Sequence, residues 1–176
     1  MAATAEMPYF IKPSRPLNHP KKERAYTELE NAVRANLTGE TDRILKMSTI
    51  NCLCKTYLPY FYWVGFYLVQ NDKLKVGPYQ GTLGCLTIDF SRGVCGRAAR
   101  ERRTQIVADT HALTEGTAHI TCDPNSQSEI VVPVFDSAGE LIAVFDVDAT
   151  EKNCFDETDK AHLEKIMREQ FADSME

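Results

Sequence analysis

The apolar run over residues 141–148 constrains the fold of this chain more than any other stretch. Successive side chains of a β-strand point to opposite faces, so a strand here has an acidic face with Asp146 and Asp148 and an apolar face. The apolar positions are Leu141, Ala143, Phe145 and Val147. The apolar face must pack against other elements, whereas the acidic face must meet water or a ligand. The run therefore predicts a strand of a sheet that helices cover on one side.

A second strand is predicted over residues 129–135, and residues 136–139 form the turn between the two strands. If the loop has two or four residues, antiparallel pairing places Glu129 on the acidic face, opposite Asp146 or Asp148. A three-residue loop would break this placement. Three carboxyl groups that close repel one another, and either a bound cation or a proton retained by one of them relieves the repulsion. Simple solvation at the strand ends is the alternative.

Other patterned segments place this strand pair in one α+β domain. Residues 1–20 contain four prolines without periodicity and predict an extended arm, followed by a single domain over residues 21–176. Helices are predicted from about 22 to 39, from about 41 to 59, over 93–102 and after an Asp156 cap, with Ile44, Leu45, Ile50, Leu58, Leu163, Ile166, Met167 and Phe171 facing the core. Further strands are predicted over 61–69, 73–79 and 105–108, with a turn at Asn71-Asp72.

Two loops have features that suggest a role in a site. The loop over residues 81–84 begins and ends with glycine, so its backbone can approach a ligand or another segment closely. Residues 109–127 form a polar segment of 19 residues without clear periodicity. A loop of that length inside a compact domain is usually functional or disordered.

Charge and hydropathy narrow the partners and the compartment. The chain has 20 Lys and Arg against 25 Asp and Glu, and this acidic balance argues against nucleic acid as the main partner. The basic patch Arg97, Arg100, Arg102 and Arg103 includes Glu101 and is interpreted as a solvated helix face. The longest apolar stretch, residues 60–69, is about half of what a membrane-spanning helix needs. No secretory signal precedes it, so we expect a cytoplasmic protein without membrane contact.

In such a compartment, six cysteines are better interpreted as free, catalytic or metal-binding thiols than as a disulfide framework. Cys122 lies in the long polar loop, where a thiol is accessible, as reactive cysteines require. Cys85 and Cys95 bracket another loop, and either could close a disulfide onto Cys122 if the loops meet. The remaining cysteines, Cys52, Cys54 and Cys154, are predicted to fill the core.

These residues together resemble a known family, the free methionine-(R)-sulfoxide reductases, which are single GAF domains. The resemblance covers about residues 22–170 and is carried by six motifs. They are Tyr62-Trp63-Val64-Gly65-Phe66-Tyr67, Gly77-Pro78-Tyr79-Gln80-Gly81 with Cys85, Arg92-Gly93-Val94-Cys95-Gly96, His119-Ile120-Thr121-Cys122-Asp123, Ser128-Glu129-Ile130-Val131-Val132-Pro133 and Asp146-Val147-Asp148.

The resemblance implies a GAF fold, with a central antiparallel sheet and helices packed on one side, in a protein that is often a homodimer. It implies that Cys122 is the nucleophile, Cys85 the principal resolving cysteine and Cys95 a further cysteine of the disulfide relay. Trp63 and Tyr67 match the aromatic wall of the substrate pocket. The carboxylates that hold the substrate and its sulfoxide oxygen match Glu129, Asp146 and Asp148, and Glu129 and Asp148 are also assigned to catalysis.

The implied reaction is reduction of free L-methionine (R)-S-oxide to methionine through a sulfenic acid and an intramolecular disulfide. Thioredoxin or a similar dithiol would restore the thiols, and we expect neither a metal nor another cofactor. A GAF module that senses a small molecule without catalysis is one alternative, against which the three spaced cysteines count. Zinc binding by His111, His119 and Cys122, or hydrolysis by Cys122 with His119, are weaker alternatives because no second ligand pair or orienting group is evident.

Overall fold

A computed structural model describes residues 13–112 and 123–173 of the chain. Its helices are α1 (His19–Leu37), α2 (Arg43–Tyr57), α3 (Gly93–Glu101) and α4 (Glu157–Met167), with a 3-10 turn at Thr110–Ala112 and a π-helical turn at Arg168–Ala172. Its strands are β1 (Trp63–Gln70), β2 (Lys73–Gln80), β3 (Thr87–Asp89), β4 (Gln105–Val107), β5 (Ser128–Phe135) and β6 (Leu141–Ala149). They form one antiparallel sheet in the order β3-β2-β1-β6-β5-β4. The predicted α+β class with about six antiparallel strands is confirmed.

Two apolar clusters lie on opposite faces of the sheet. On the first, which we call the helical face, α1, α2 and α4 pack against strand residues such as Phe66 and Phe145. On the second, the site face, α3 packs against Val131 and Val144. A single α-helix of the described residues thus covers the site face, and space remains there for a cavity.

Side-chain caps set where three of the described helices begin, because a polar side chain satisfies backbone N–H groups of the first turn. Asn18 caps α1, Asp42 caps α2, and Asp156 caps α4 as predicted. Helix α1 begins at His19, so the predicted boundary between arm and domain at residue 20 falls in its first turn. The first twelve residues of that arm lie outside the described residues.

Most predicted core positions are confirmed. Buried or partly buried against the helical-face cluster are Ile50, Leu58, Cys54, Cys154, Leu163, Ile166, Met167 and Phe171. The prediction is wrong for Ile44 and Leu45, which are 50% and 45% exposed. They lie in the first turn of α2, ahead of Lys46 and Met47, the first buried residues of that helix. The prediction is also wrong for Cys52, which is exposed because residues two apart on a helix point in different directions.

The register of the β5–β6 hairpin places Glu129 directly opposite Asp148, one of the two partners predicted for a loop of two or four residues. Its loop, however, has five residues, 136–140, and an odd loop alone would put Glu129 on the helical face. A register shift between Val134 and Phe135 adds one residue and restores the pairing. The same shift turns Leu141 to the site face, where it packs against that cluster. The prediction that Leu141 shares a face with the other apolar residues of β6 is therefore wrong.

The sequence does not predict β3, whose three residues are too few to show an alternating pattern. The β1–β2 turn is confirmed, since Asn71 and Asp72 have φ values of 50° and 58°. Two positive φ values in a row are typical of the two-residue turns that join antiparallel strands.

Candidate active site

A cavity opens on the site face, between the sheet, the start of α3 and the loop over residues 81–86. Its lining includes Trp63, Tyr67, Thr82, Leu83, Gly84, Cys85, Thr87, Ile88, Asp89, Arg92, Gly93, Val94, Cys95, Asp123, Ser126, Glu129, Asp146 and Asp148. All the predicted site residues that the structure describes lie in this lining. Cys122 lies outside the described residues.

Three carboxyl groups form the floor of the cavity. Glu129 pairs with Asp148 across the β5–β6 ladder, and Asp148 also faces Trp63 on β1. Glu129 and Asp146 are each only 6% exposed, whereas Asp148 is partly buried. Asp148 accepts a short hydrogen bond from the Ser126 hydroxyl. Asp146 Oδ1 is buried and has no hydrogen-bond partner among the described residues.

This environment favours the protonated form of the acids. Burial, followed by the charges of Asp146 and Asp148, raises the pKa of Glu129 well above its ordinary value. Burial and the charge of Asp148 likewise raise the pKa of Asp146. Burial raises the pKa of Asp148 to about 7. Close carboxyl groups in a poorly solvated site cannot all ionise, so at neutral pH this floor holds at least one proton that it can donate.

Aromatic rings form one wall of the cavity. Trp63 stacks on Tyr67 with ring centroids 5.6 Å apart and on Tyr79 at 5.3 Å. The Trp63 indole N–H donates to the Thr82 carbonyl at 3.0 Å, which fixes the ring orientation. A Cβ on Gly84 would lie 3.0 Å from the Tyr67 hydroxyl. The loop over residues 81–84 therefore passes close to another segment, as predicted, and that segment is the aromatic wall.

The described thiols differ in their surroundings. Cys95, on α3, is 4% exposed, and its sulfur lies within 4.8 Å of a carboxylate oxygen of Glu129 and of Asp146. Burial and the charge of Asp146 raise the pKa of the Cys95 thiol well above its ordinary value, so it is protonated at rest. Cys85 lines the cavity, is partly exposed and is disulfide-bonded.

Asp123 links three parts of the site, and the sequence reasoning assigns it no role. The hydroxyls of Tyr62 and Thr82 each donate to Asp123 Oδ2 at 2.6 Å. Asn125 donates to Oδ1 through its backbone and its side chain, at 2.8 and 3.0 Å. Burial opposes ionisation, but the hydrogen bonds from Thr82 and Tyr62 hold the pKa of Asp123 below its ordinary value. Its place directly after Cys122 in the chain is the signal that could have identified it.

The two histidines of the zinc and hydrolase alternatives, His111 and His119, do not lie among the described residues of the cavity. His111 lies in the 3-10 turn, where its Nε2 contacts the Ser126 carbonyl at 2.9 Å. It is not among the described residues that line the cavity. His119 lies outside the described residues.

Within the described ranges, no helix combines the length and the apolar character that crossing a bilayer requires.

Comparisons with known proteins agree with this geometry. The sequence profile of the GAF domain family matches residues 59–169. The free methionine-R-sulfoxide reductase of Escherichia coli is 34% identical over 146 residues, which cover 83% of this chain and 86% of that protein.

Solved structures give the same result. The reduced free methionine-R-sulfoxide reductase (fRMsr) of Staphylococcus aureus has a TM-score of 0.77 and 42% identity, covering 83% of this chain and 92% of that one. The enzyme of Neisseria meningitidis in complex with its substrate has a TM-score of 0.78 and 36% identity, covering 90% and 95%. This chain therefore belongs to the free methionine-(R)-sulfoxide reductases, a family built on the GAF fold.

Proposed function

We propose that this protein reduces free L-methionine (R)-S-oxide to L-methionine, with Cys122 as nucleophile and Cys85 as resolving cysteine. The observation that carries the proposal is the trio of carboxyl groups, two buried and one partly buried, with raised pKa values, beside the Trp63 and Tyr67 wall. That trio shares one cavity with Cys85. The proposal also rests on the substrates named for the similar proteins of known structure.

The acids account for activation of the substrate. A sulfoxide sulfur becomes electrophilic when its oxygen is protonated or strongly hydrogen-bonded, so a protonated carboxyl group is what a thiol nucleophile needs beside it. Glu129 is the proposed donor, because it is buried and has the charges of Asp146 and Asp148 against it. Asp148, partly exposed and with a pKa near 7, can exchange the consumed proton with solvent.

The sulfur chemistry then balances in two steps. The Cys122 thiolate attacks the protonated sulfoxide and forms a bond to its sulfur. That adduct collapses as the hydroxyl oxygen moves from the methionine sulfur to the Cys122 sulfur, so Cys122 is oxidised to a sulfenic acid and the reduced methionine leaves with the electron pair of the broken bond. The Cys85 thiol condenses with that acid, releases water and forms a disulfide. A dithiol such as thioredoxin reduces the disulfide and becomes oxidised itself.

The state of the cysteines supports this pairing. Four cysteines, Cys52, Cys54, Cys95 and Cys154, are free thiols, and Cys85 is disulfide-bonded. The sixth cysteine of the chain is Cys122. The relay role of Cys95 stays a prediction, and its burial among acids argues that it reacts only after the site rearranges.

The aromatic wall accounts for binding of the methyl group. Contact between a sulfur-bearing group and an aromatic ring contributes roughly 0.3 to 1.5 kcal/mol, and Trp63 presents its ring to the cavity. The acidic floor suits the ammonium group of a free amino acid. Binding of that cation also offsets the carboxylate charge that would otherwise disfavour the Cys122 thiolate.

The proposal is tested with dithiothreitol as reductant and the separate epimers of free methionine sulfoxide. We expect consumption of the R epimer, no turnover by Cys122→Ser, and a single turnover by Cys85→Ser when thioredoxin supplies the electrons. Cys52→Ser is the matched control, because this exposed thiol lies on α2 and should leave the rate unchanged. Wild-type activity in Cys122→Ser would exclude it as nucleophile, and binding of the sulfoxide without turnover would favour a sensing module.

Thioredoxin as the reductant, the cytoplasm as the compartment and a homodimer as the assembly stay predictions.

A further inference from the structure

We propose that the cavity has a second kind of ligand, a zinc-class divalent cation held by Cys95, Glu129 and Asp146. Their candidate ligand atoms all lie within 4.8 Å of one another, and all three residues are buried. The proposal concerns these three side chains only and does not depend on which cysteine is the nucleophile.

The unpaired oxygen of Asp146 points to a missing partner. Asp146 is only 6% exposed, and its Oδ1 has no hydrogen-bond partner among the described residues. A buried carboxylate oxygen without a partner is costly, and either a proton or a cation relieves that cost. Asp123, by contrast, uses both carboxylate oxygens in hydrogen bonds, although it lines the same cavity.

The donor set selects the class of cation. Magnesium and calcium prefer oxygen ligands, whereas a thiolate with two carboxylates suits a borderline-soft ion such as zinc. Zinc forms bonds of about 2.3 Å to sulfur and about 2.0 to 2.2 Å to carboxylate oxygen, so tetrahedral ligand atoms stand roughly 3.3 to 3.6 Å apart. The observed separations need only a small closing movement of the side chains.

The positions of the ligands leave one coordination site open. Glu129 and Asp146 project from the paired strands β5 and β6, and Cys95 from α3. All three line the cavity, so a fourth ligand can come from water on the open side. Binding replaces protons on the thiol and on any protonated carboxyl group and releases them to solvent, without any change of oxidation state. The cation would occupy the acidic floor and exclude an amino-acid ammonium group.

The charge nearby is compatible with a cation. Asp148 adds a third carboxyl group to the floor, and Arg97 is the basic residue whose charge acts on Glu129. Arg92 also lines the cavity, so three carboxyl groups and a thiol stand against two guanidinium groups, and the site gains from a dication once its protons leave.

The test uses Co²⁺ as a spectroscopic substitute for zinc in the double variant Cys85→Ser/Cys122→Ser, kept reduced. We expect an absorption band of the cobalt–thiolate bond that saturates at one ion per chain, that Zn²⁺ displaces, and that releases protons as it forms. Adding Cys95→Ser should abolish the band, and adding Asp146→Asn should weaken binding at least tenfold. Cys52→Ser, which removes an exposed thiol on α2, is the matched control and should keep the band.

Absence of the band in the double variant, or its persistence after Cys95→Ser, would overturn the proposal. If Cys95→Ser does not fold, Glu129→Gln gives the same test, because unchanged cobalt affinity in both Glu129→Gln and Asp146→Asn would equally overturn it. In a second measurement we expect Zn²⁺ to raise the apparent KM of the wild-type enzyme for the sulfoxide, because the cation occupies the acidic floor, and an unchanged KM at saturating Zn²⁺ would contradict the proposal. If cobalt binds through Cys95 but the wild-type protein has no reductase activity, this inference stands and the proposed function is wrong. If the protein is an active reductase but cobalt does not bind through Cys95, the proposed function stands and this inference is wrong.

Discussion

Two buried aspartates on opposite faces of one sheet have contrasting surroundings. Asp159 lies beneath the helical face with no exposed surface and accepts four hydrogen bonds, from Tyr26, Tyr60, Lys22 and the backbone of Asp156, at 2.6 to 2.8 Å. Asp146 lies on the site face, nearly as buried, with one oxygen that has no partner. Asp159 is therefore a compensated carboxylate, since both of its oxygens accept hydrogen bonds, whereas Asp146 is not.

The difference separates stability from chemistry. Burial opposes the charge of Lys22, yet its bonds to Asp159 and Asp156 hold its pKa above the ordinary value, so Lys22 stays ionised beside Asp159. On the site face, burial raises the pKa values of Glu129, Asp146 and Asp148. A compensated charge fixes α1 against α4, whereas acids left short of partners keep protons available to a substrate.

Removal of the proton donor should give the largest effect. Glu129→Gln keeps the size of the side chain and removes its acidity, so we expect kcat to fall about 10²- to 10⁴-fold while KM changes little. Thermal unfolding of the variant should show stability equal to or above wild type, because a buried acid has been replaced. A change confined to KM would show that Glu129 only binds.

On the helical face we expect a substitution to lower stability and to leave activity unchanged. Lys22→Met removes the cation from buried Asp159 and should lower the free energy of unfolding by about 3 to 5 kcal/mol in urea titrations. The turnover of the remaining folded enzyme should match wild type, because Lys22 does not line the cavity. A loss below about 1 kcal/mol would mean that the two tyrosine hydroxyls suffice for Asp159.

The pH dependence of stability should sharpen the contrast. The pKa of Asp148 rises from 3.8 to about 7 on folding, so the folded state binds more protons in that window and stability must fall as pH rises through it. Asp148→Asn removes this loss, and we expect it to gain about 1 to 2 kcal/mol over wild type at pH 8, a value reduced by the partial exposure of Asp148. Calorimetry at pH 4 and pH 8 measures the difference. An equal gain at both pH values would contradict the assigned direction.

The smallest effect should come from one hydrogen bond of the compensated acid. Tyr60→Phe leaves Asp159 with its bonds to Tyr26, Lys22 and Asp156, so we expect a loss of about 1 to 2 kcal/mol in the free energy of unfolding. Tyr26→Phe is the matched variant at the same oxygen. A loss as large as that of Lys22→Met would show that neutral donors matter as much as the cation.

Periodicity predicts this part of the sheet because the alternation in β6 is long and one of its faces is acidic. It also predicts that Glu129 shares the acidic face opposite Asp146 or Asp148 if the loop has two or four residues, and the five-residue loop keeps that face only through the register shift. It fails for Leu141, since a register shift leaves no mark in the pattern, and for Ile44 and Leu45, since spacing alone does not say where packing begins. The role of Asp123 depends on contacts with Tyr62 and Thr82, which are distant in sequence, so its position directly after Cys122 is the local sign of a role but does not predict those contacts. The buried network around Asp159 is missed for the same reason.

The shift between Val134 and Phe135 has an evolutionary consequence. Hairpin tips are where insertions and deletions are usually tolerated. Here a relative whose β5–β6 ladder lacks the shift must also shorten or lengthen its hairpin loop by a single residue, or the side chain of Glu129 leaves the cavity. Changes of loop length should therefore occur together with loss of the register shift. A loop graft that changes the length alone would abolish activity without unfolding the protein.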